Sequence, residues 1–573
     1  MRGLAILNAC LACTVHGRRV QTVLQPLASS EAQDPLLLAL NPAIGGSPAV
    51  QSSKSMPHID NALSQDHFAT YSKISQTPND TQGSSVGTPP MLLLQPLARA
   101  CLPVMVIFAL LWGSLPMISK SPASSRRTPV PAMTAAAEDD TTPSGTASVS
   151  TSIINIAKNI VGSGVLALSF GIASFTAAPA GVWPALAILF SLGGLSAYTF
   201  AIIARIGDEV GANSYQDIWA KVFGKISAIL PALTVIFKTA VGGLSYAIIL
   251  GDSFASIASL AGLPAALCKA NTWILGLTGL VLLPLSLLRN LSALAIGSVI
   301  GTAGTIYTAL FMFLRSLDGS YAVGGKFHAL IPASSQPFFA AASASSPLLN
   351  SSIFVLVSMI ATTFLAHYNA PKFYQELAKP EDGSSKVGAF SKVVAGAFGL
   401  AAILCAVIMA SGFLTFGGAA QGLILNSYAT TDTLAFLARL GICTSIIFSY
   451  PIIFVGLRES VLNTLKLDGS KASTHVISTL ALICAVNGLS LVVKNLGLVV
   501  AVGGAVLGSA LVYVFPAMMF IKATLLKKKS LEAAGEKLPA ARIREMYANY
   551  GVAGLGCILG VIGVKMSLKS AGL

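Results

Sequence analysis

Two short polar strings, each inside a long apolar run, hold the groups from which a binding site could be built. The first has Asn155, Lys158 and Asn159 followed by Gly162-Ser163-Gly164-Val165-Leu166. Two glycines one residue apart weaken a helix, and the Ser163 hydroxyl can bond to backbone groups that the helix releases. Unwound backbone at membrane depth is tolerated only where it lines a cavity or is buried in protein. A helix restarting there would present amide N–H groups and a positive dipole end, which suits a carboxylate. Close packing of helices through small residues is the competing explanation of Gly-Ser-Gly.

The second string places Thr362, Thr363, Phe364, Ala366, His367, Tyr368, Asn369 and Pro371 in the latter half of another apolar run. His367 reads either as a proton relay, since imidazole titrates near neutral pH, or as a hydrogen-bonding group inside the bundle. Lys158 either sits in a cation site or snorkels to the nearby interface. Lys238 lies deep in the third run with no carboxylate opposite it in the sequence. The apolar runs contain almost no acidic residues, which disfavours an intramembrane enzyme needing paired carboxylates. Neither a metal-ligand spacing nor a GxxxxGK[ST] nucleotide loop occurs, and Cys10 and Cys13 form a CxxC without a second pair.

The elements that must position these residues follow from composition. Hydrophobic residues make up 54% and charged residues 10% of the 573, and the mean hydropathy is +0.75, against about 25% charged in a soluble domain. Lipid must cover much of such a chain. The formal charge of +14 does not signal nucleic acid, because the basic residues cluster in short segments between apolar runs. From residue 151 we count eleven runs able to cross the hydrocarbon layer as helices: 151–175, 182–205, 226–250, 272–288, 293–314, 351–371, 391–416, 433–457, 474–493, 495–521 and 551–569. Alternate loops on the side of residue 150 hold 18 Lys and Arg, and the other side holds 6. The positive-inside rule then puts the residue-150 end in the cytoplasm and the C-terminus outside or in a lumen. Asn350-Ser351-Ser352 is a glycosylation sequon on that outer side.

Residues 1–148 differ: rich in Ser, Thr, Pro, Ala and Gln, they read as a mostly disordered extension. One apolar segment, 102–118, interrupts it and reads as a signal-anchor, a targeting segment or an apolar stretch without a role. The transmembrane domain is assigned to 149–569.

Taken in order, several strings resemble the amino acid/auxin permease family, which includes sodium-coupled neutral and vacuolar amino acid transporters. They are Asn155…Gly162-Ser163-Gly164-Val165-Leu166; Ala366-His367-Tyr368-Asn369-Ala370-Pro371-Lys372-Phe373-Tyr374-Gln375-Glu376-Leu377; Gly412-Phe413-Leu414-Thr415-Phe416-Gly417; Ala438-Arg439-Leu440; and Tyr450-Pro451 with Arg458. The resemblance implies an all-α fold of eleven membrane helices, ten in a LeuT-type five-plus-five inverted repeat and one extra. It also implies amino acid substrate, with no cofactor beyond a coupling ion, H⁺ or Na⁺. Gly162, Ser163, Gly164 and Val165 would then meet the substrate carboxylate, and Thr363, Phe364 and Ala366 would line the pocket. In the sodium-coupled branch an ion lies between the first and eighth helices. Here Lys158 aligns with that branch's Asn, Asn155 and Asn159 lie nearby, and Ile447 replaces a hydroxyl while Thr444, Ser445 and Ser449 remain. Two functions stay open on this reading: a secondary carrier of neutral amino acids, and a transporter-like sensor signalling through the N-terminal extension.

Overall fold

In a membrane each backbone amide must find its partner within its own segment, so apolar runs of this length become helices. The computed structural model describes residues 145–289, 295–341, 350–380 and 383–572. Residues 1–144 of the extension, with the 102–118 segment and the CxxC, lie outside the described residues. Among those described, nine helices are long and apolar enough to cross a membrane, and a pair bent by 49°, Val149–Ile160 with Ser163–Ala173, makes a tenth. Ala295–Leu317, a helix of 23 residues, occupies the place of the fifth run. The chain is a mostly helical, multi-pass membrane protein, and the spans keep the numbers of the runs that predict them.

Several helices outrun the apolar segments because end residues, not hydropathy, stop them. Span seven runs Lys386–Phe416, started by the Ser385 hydroxyl accepting from Gly388 N. Span eight runs Thr433–Leu465, between the Asp432 N-cap and left-handed Lys466. At about 1.5 Å per residue such helices exceed a hydrocarbon core of about 30 Å and project beyond it.

Spans six and ten form the centre. In each, 72% of the apolar window is buried, against 28% for spans nine and eleven. Span ten, Leu496–Ala533, carries a π-helical stretch at Gly504–Val514. Its Gly504 backs onto the Ser358 carbonyl and its Gly508 lies 2.9 Å, at the Cβ position, from the Ala361 methyl, so a side chain at either would push spans six and ten apart. Ion pairs pin spans eleven and ten to span two: Arg205 with Glu545 at 2.6 Å and Glu209 with Arg542 at 2.5 Å hold span eleven, and Glu209 with Lys527 at 2.7 Å holds span ten.

Candidate functional site

Span one breaks where the glycines fall. The helix Val149–Ile160 ends on Val161, Gly162 takes an extended conformation (φ −107°, ψ −156°), and a 3-10 turn resumes at Ser163–Ala167. No side chain caps the restarted helix, so its first N–H groups are left to the backbone or to a ligand. A Cβ on Gly162 would meet nothing within 4 Å, whereas one on Gly164 would lie 3.1 Å from the Thr363 hydroxyl. The restarted half is fixed from behind by Ser169, whose hydroxyl donates to the carbonyls of Ile408 and Met409 in span seven at 3.1 and 3.2 Å.

Span six is interrupted beside it. The helix Ile353–Thr363 gives way at Phe364, and a short 3-10 turn at His367–Asn369 leads into Ala370–Glu376. The break folds on itself: Leu365 N donates to Thr362 O at 3.2 Å and Ala366 N to Phe364 O at 2.9 Å. Its side chains are then gripped by neighbours. Phe364 stacks on Phe398 at 5.9 Å between ring centres, and the fully buried His367 has Nε2 3.0 Å from both the Thr199 hydroxyl and the Ser196 carbonyl. Lys238 of span three donates to the Tyr368 hydroxyl at 2.9 Å and lies 4.6 Å from its ring centre. The partner that the sequence does not show for Lys238 is thus a phenol in the span-six break.

Thr363, Phe364 and Ala366 are buried at the junction with span one, as are Gly164 and Val165, while Gly162 and Ser163 are partly open. Asn155 and Asn159 lie on the exposed face of span one. Asn159 accepts from the Asn369 amide at 3.2 Å, and Lys158 is half-buried with no ion pair among the described residues. In span eight, the Thr444 hydroxyl donates to Leu440 O at 2.8 Å and Ser445 packs directly on Gly301 of span five, with Ser449 partly buried between. The Asn350 amide nitrogen, the atom a glycan would take, donates instead to Phe175 O at 2.7 Å.

The end of the bundle away from residue 149 carries an aromatic and ionic cluster that the sequence reading does not single out. Arg315 grips Asp432 through two bonds of 2.8 and 2.7 Å, and the Tyr321 hydroxyl donates to the same carboxylate at 3.0 Å. Burial, reinforced by that carboxylate, pushes the Tyr321 phenol well above its ordinary range, so it keeps its proton and goes on donating. Tyr428 packs edge-on to Phe311, Phe416 and Tyr321 beneath it. The glycines of span ten were also unassigned, although Gly504 and Gly508 form a legible G-x-x-x-G.

A family model described as transmembrane amino acid transporter protein matches residues 145–547. Among curated proteins, the one named "Putative sodium-coupled neutral amino acid transporter 11" of Danio rerio is 27% identical over 66% of this chain and 80% of its own length. Vacuolar amino acid transporter 2 of Saccharomyces cerevisiae is 26% identical over 67% of this chain and 78% of its own. Among solved structures, MhsT in complex with L-phenylalanine aligns with 73% of this chain and 98% of its own at 13% identity and a TM-score of 0.45.

Proposed function

This chain belongs to the transmembrane amino acid transporter family, and from that membership we propose that it carries neutral amino acids by alternating access, with substrate held between the breaks of spans one and six. The observation that carries this reading is the junction itself, where Gly164 lies against Thr363 and two interrupted helices meet in the middle of the bundle. The restarted helix of span one would offer its free N–H groups to the substrate carboxylate, with Ser163 beside them. Thr363, Phe364 and Ala366 would shape the pocket wall. Both curated relatives are named as amino acid transporters rather than enzymes.

We read the junction as open towards the residue-149 side, where Asn155 and Asn159 are exposed and a Cβ on Gly162 would meet nothing; the Arg315–Asp432–Tyr321 cluster with its aromatic rings stands at the opposite end of the bundle. We place the residue-149 side in the cytoplasm on the distribution of Lys and Arg. Rocking the site open to the opposite face requires that cluster to part, which supplies an outer gate. The driving ion is H⁺ or Na⁺. Of the three span-eight hydroxyls Thr444 is engaged by the Leu440 carbonyl, and Lys158 stands where the sodium-coupled branch has Asn, which favours a lysine ammonium in place of sodium. His367, if it relays a proton, does so from behind the pocket, since its ring is turned to Thr199 and Ser196.

The test is uptake of tritiated amino acids by proteoliposomes holding the full chain, under an imposed pH gradient or Na⁺ gradient. Uptake with the pH gradient alone, lost in Lys158→Ala, is the expected result; a strict need for Na⁺ overturns the lysine assignment and leaves the carrier. No uptake from folded, inserted protein sinks the carrier reading.

One observation favours the second reading, a sensor. Backbone hydrogen bonds tie the last residues of the extension to the end of span six: Ala147 N to Glu376 O at 2.9 Å and Ala378 N to Ala147 O at 3.0 Å. Motion of span six would pull on the extension. Deleting the extension would then abolish a partner interaction while uptake persists.

A further inference from the structure

A cavity of about 360 Å³ opens at the end of the bundle away from residue 149, between spans three, four and eight and the loop that precedes span eight. Its size falls at the low end of ligand pockets, roughly 300–1,000 Å³. Two opposite charges stand on different walls without touching each other. Asp252 of span three accepts one hydrogen bond, from the Asn426 amide at 2.9 Å. Arg439 of span eight is 2% exposed, and its Nη2 donates to the carbonyls of Leu425 and Tyr428, both at 2.8 Å. Its Nε has no partner among the described residues. Asp432, the acid nearest in sequence, is already held by Arg315 and Tyr321. Asp432 acts on the buried Arg439 guanidinium only across space, so no carboxylate among the described residues bonds it directly to offset its desolvation.

Resting on the transport reading, we infer that this cavity is a second recognition site for a zwitterionic amino acid, with Arg439 taking the carboxylate and Asp252 the ammonium. Asp252 feels the charge of Lys494, but that ammonium is bonded to the Asn271 side chain and the Ser490 carbonyl. Among the described residues neither cavity charge therefore has a direct ionic partner, and a molecule with both charges supplies one to each. Ser256, Ser259 and Thr430 add hydroxyls to the same lining. The loop that supplies Asn426 and the two carbonyls is the 3-10 turn Ile424–Ser427, and this turn packs on the Ser163–Ala167 turn of span one. Occupancy of the outer cavity is therefore felt at the break that forms the central site.

Cys268, a free thiol in the cavity lining, reports on occupancy directly. The full chain is labelled with a maleimide, and modification at Cys268 is followed by peptide mass spectrometry. The ligands are alanine, its des-amino analogue propionate and its decarboxylated analogue ethylamine. Equilibrium binding of tritiated alanine gives the stoichiometry, and proteoliposome uptake is measured on the same preparation. We expect alanine to slow labelling about tenfold, an occupancy of roughly 90%, with neither analogue protecting, and two alanines bound per chain. Asp252→Asn and the cavity-filling Ser259→Trp should each abolish protection and lower the count to one. Uptake with one alanine per chain, with or without protection of Cys268, overturns the second site and leaves the carrier standing. Two per chain without uptake keeps the cavity and sinks the carrier.

Discussion

The two breaks at the centre of this protein are made by opposite means. In span one the chain departs from the helix because side chains are missing: Gly162 and Gly164 flank Ser163, no side chain caps the restart, and the axis turns by 49°. In span six it departs because side chains are held: Phe364 by Phe398, His367 by Thr199 and Ser196, Tyr368 by Lys238 and Asn369 by Asn159. There the interruption stays within one span, Ile353–Glu376. A glycine break is cheap to bend and leaves backbone groups free for a ligand, as an element that binds and then moves requires. A break fixed from four neighbouring spans resists deformation and serves as the wall against which the first one works.

This contrast can be broken by experiment. Filling the glycine break should have the largest effect. Gly164→Leu drives a branched side chain into Thr363, and overpacking of a tight contact costs about 1–3 kcal/mol before any substrate is considered. Uptake should fall at least about a hundredfold, the loss expected when a site is displaced by about 1 Å. Gly162→Ala, with open space at its Cβ and no positive φ, should change stability by less than about 1 kcal/mol. Equal damage from both substitutions would show that backbone freedom, not the Thr363 contact, governs the first break.

Next comes the removal of a grip from the second break. His367→Ala empties a fully buried site and removes the ring nitrogen that meets the Thr199 hydroxyl and the Ser196 carbonyl, at a cost of roughly 2–4 kcal/mol. Thermal unfolding of the full chain in detergent should show it as a lower midpoint. An unchanged midpoint would mean that span six breaks without help from span two. Smallest is Tyr368→Phe, which deletes the acceptor for Lys238 while keeping the ring that faces the ammonium. A hydrogen bond to a charged group contributes about 1.5–3 kcal/mol, while the cation–π contact of about 0.5–2 kcal/mol, present before and after the substitution, keeps the ammonium over the ring. We expect a several-fold drop in uptake and an unfolding midpoint lowered less than by His367→Ala; an unchanged midpoint would remove Lys238 from the grips that fix the break of span six.

Much of this was legible in the sequence. Each amide in lipid must be satisfied within its own segment, so spans announce themselves as apolar runs and their interruptions as polar strings. Gly162-Ser163-Gly164 and Thr362 to Pro371 stood out for that reason. The first break needed only the sequence, since glycine carries its conformational freedom wherever it is placed.

The sequence could not say which way the remaining polar side chains face. That Ser445 turns to Gly301, Lys238 to Tyr368, Asp252 and Arg439 to one outer cavity, and Arg315 to Asp432 was decided by the assembled bundle. In water, the burial of apolar surface marks the inward face of a helix. In a membrane both lipid-facing and bundle-facing sides are apolar, so hydropathy finds the helices but leaves their rotation to packing.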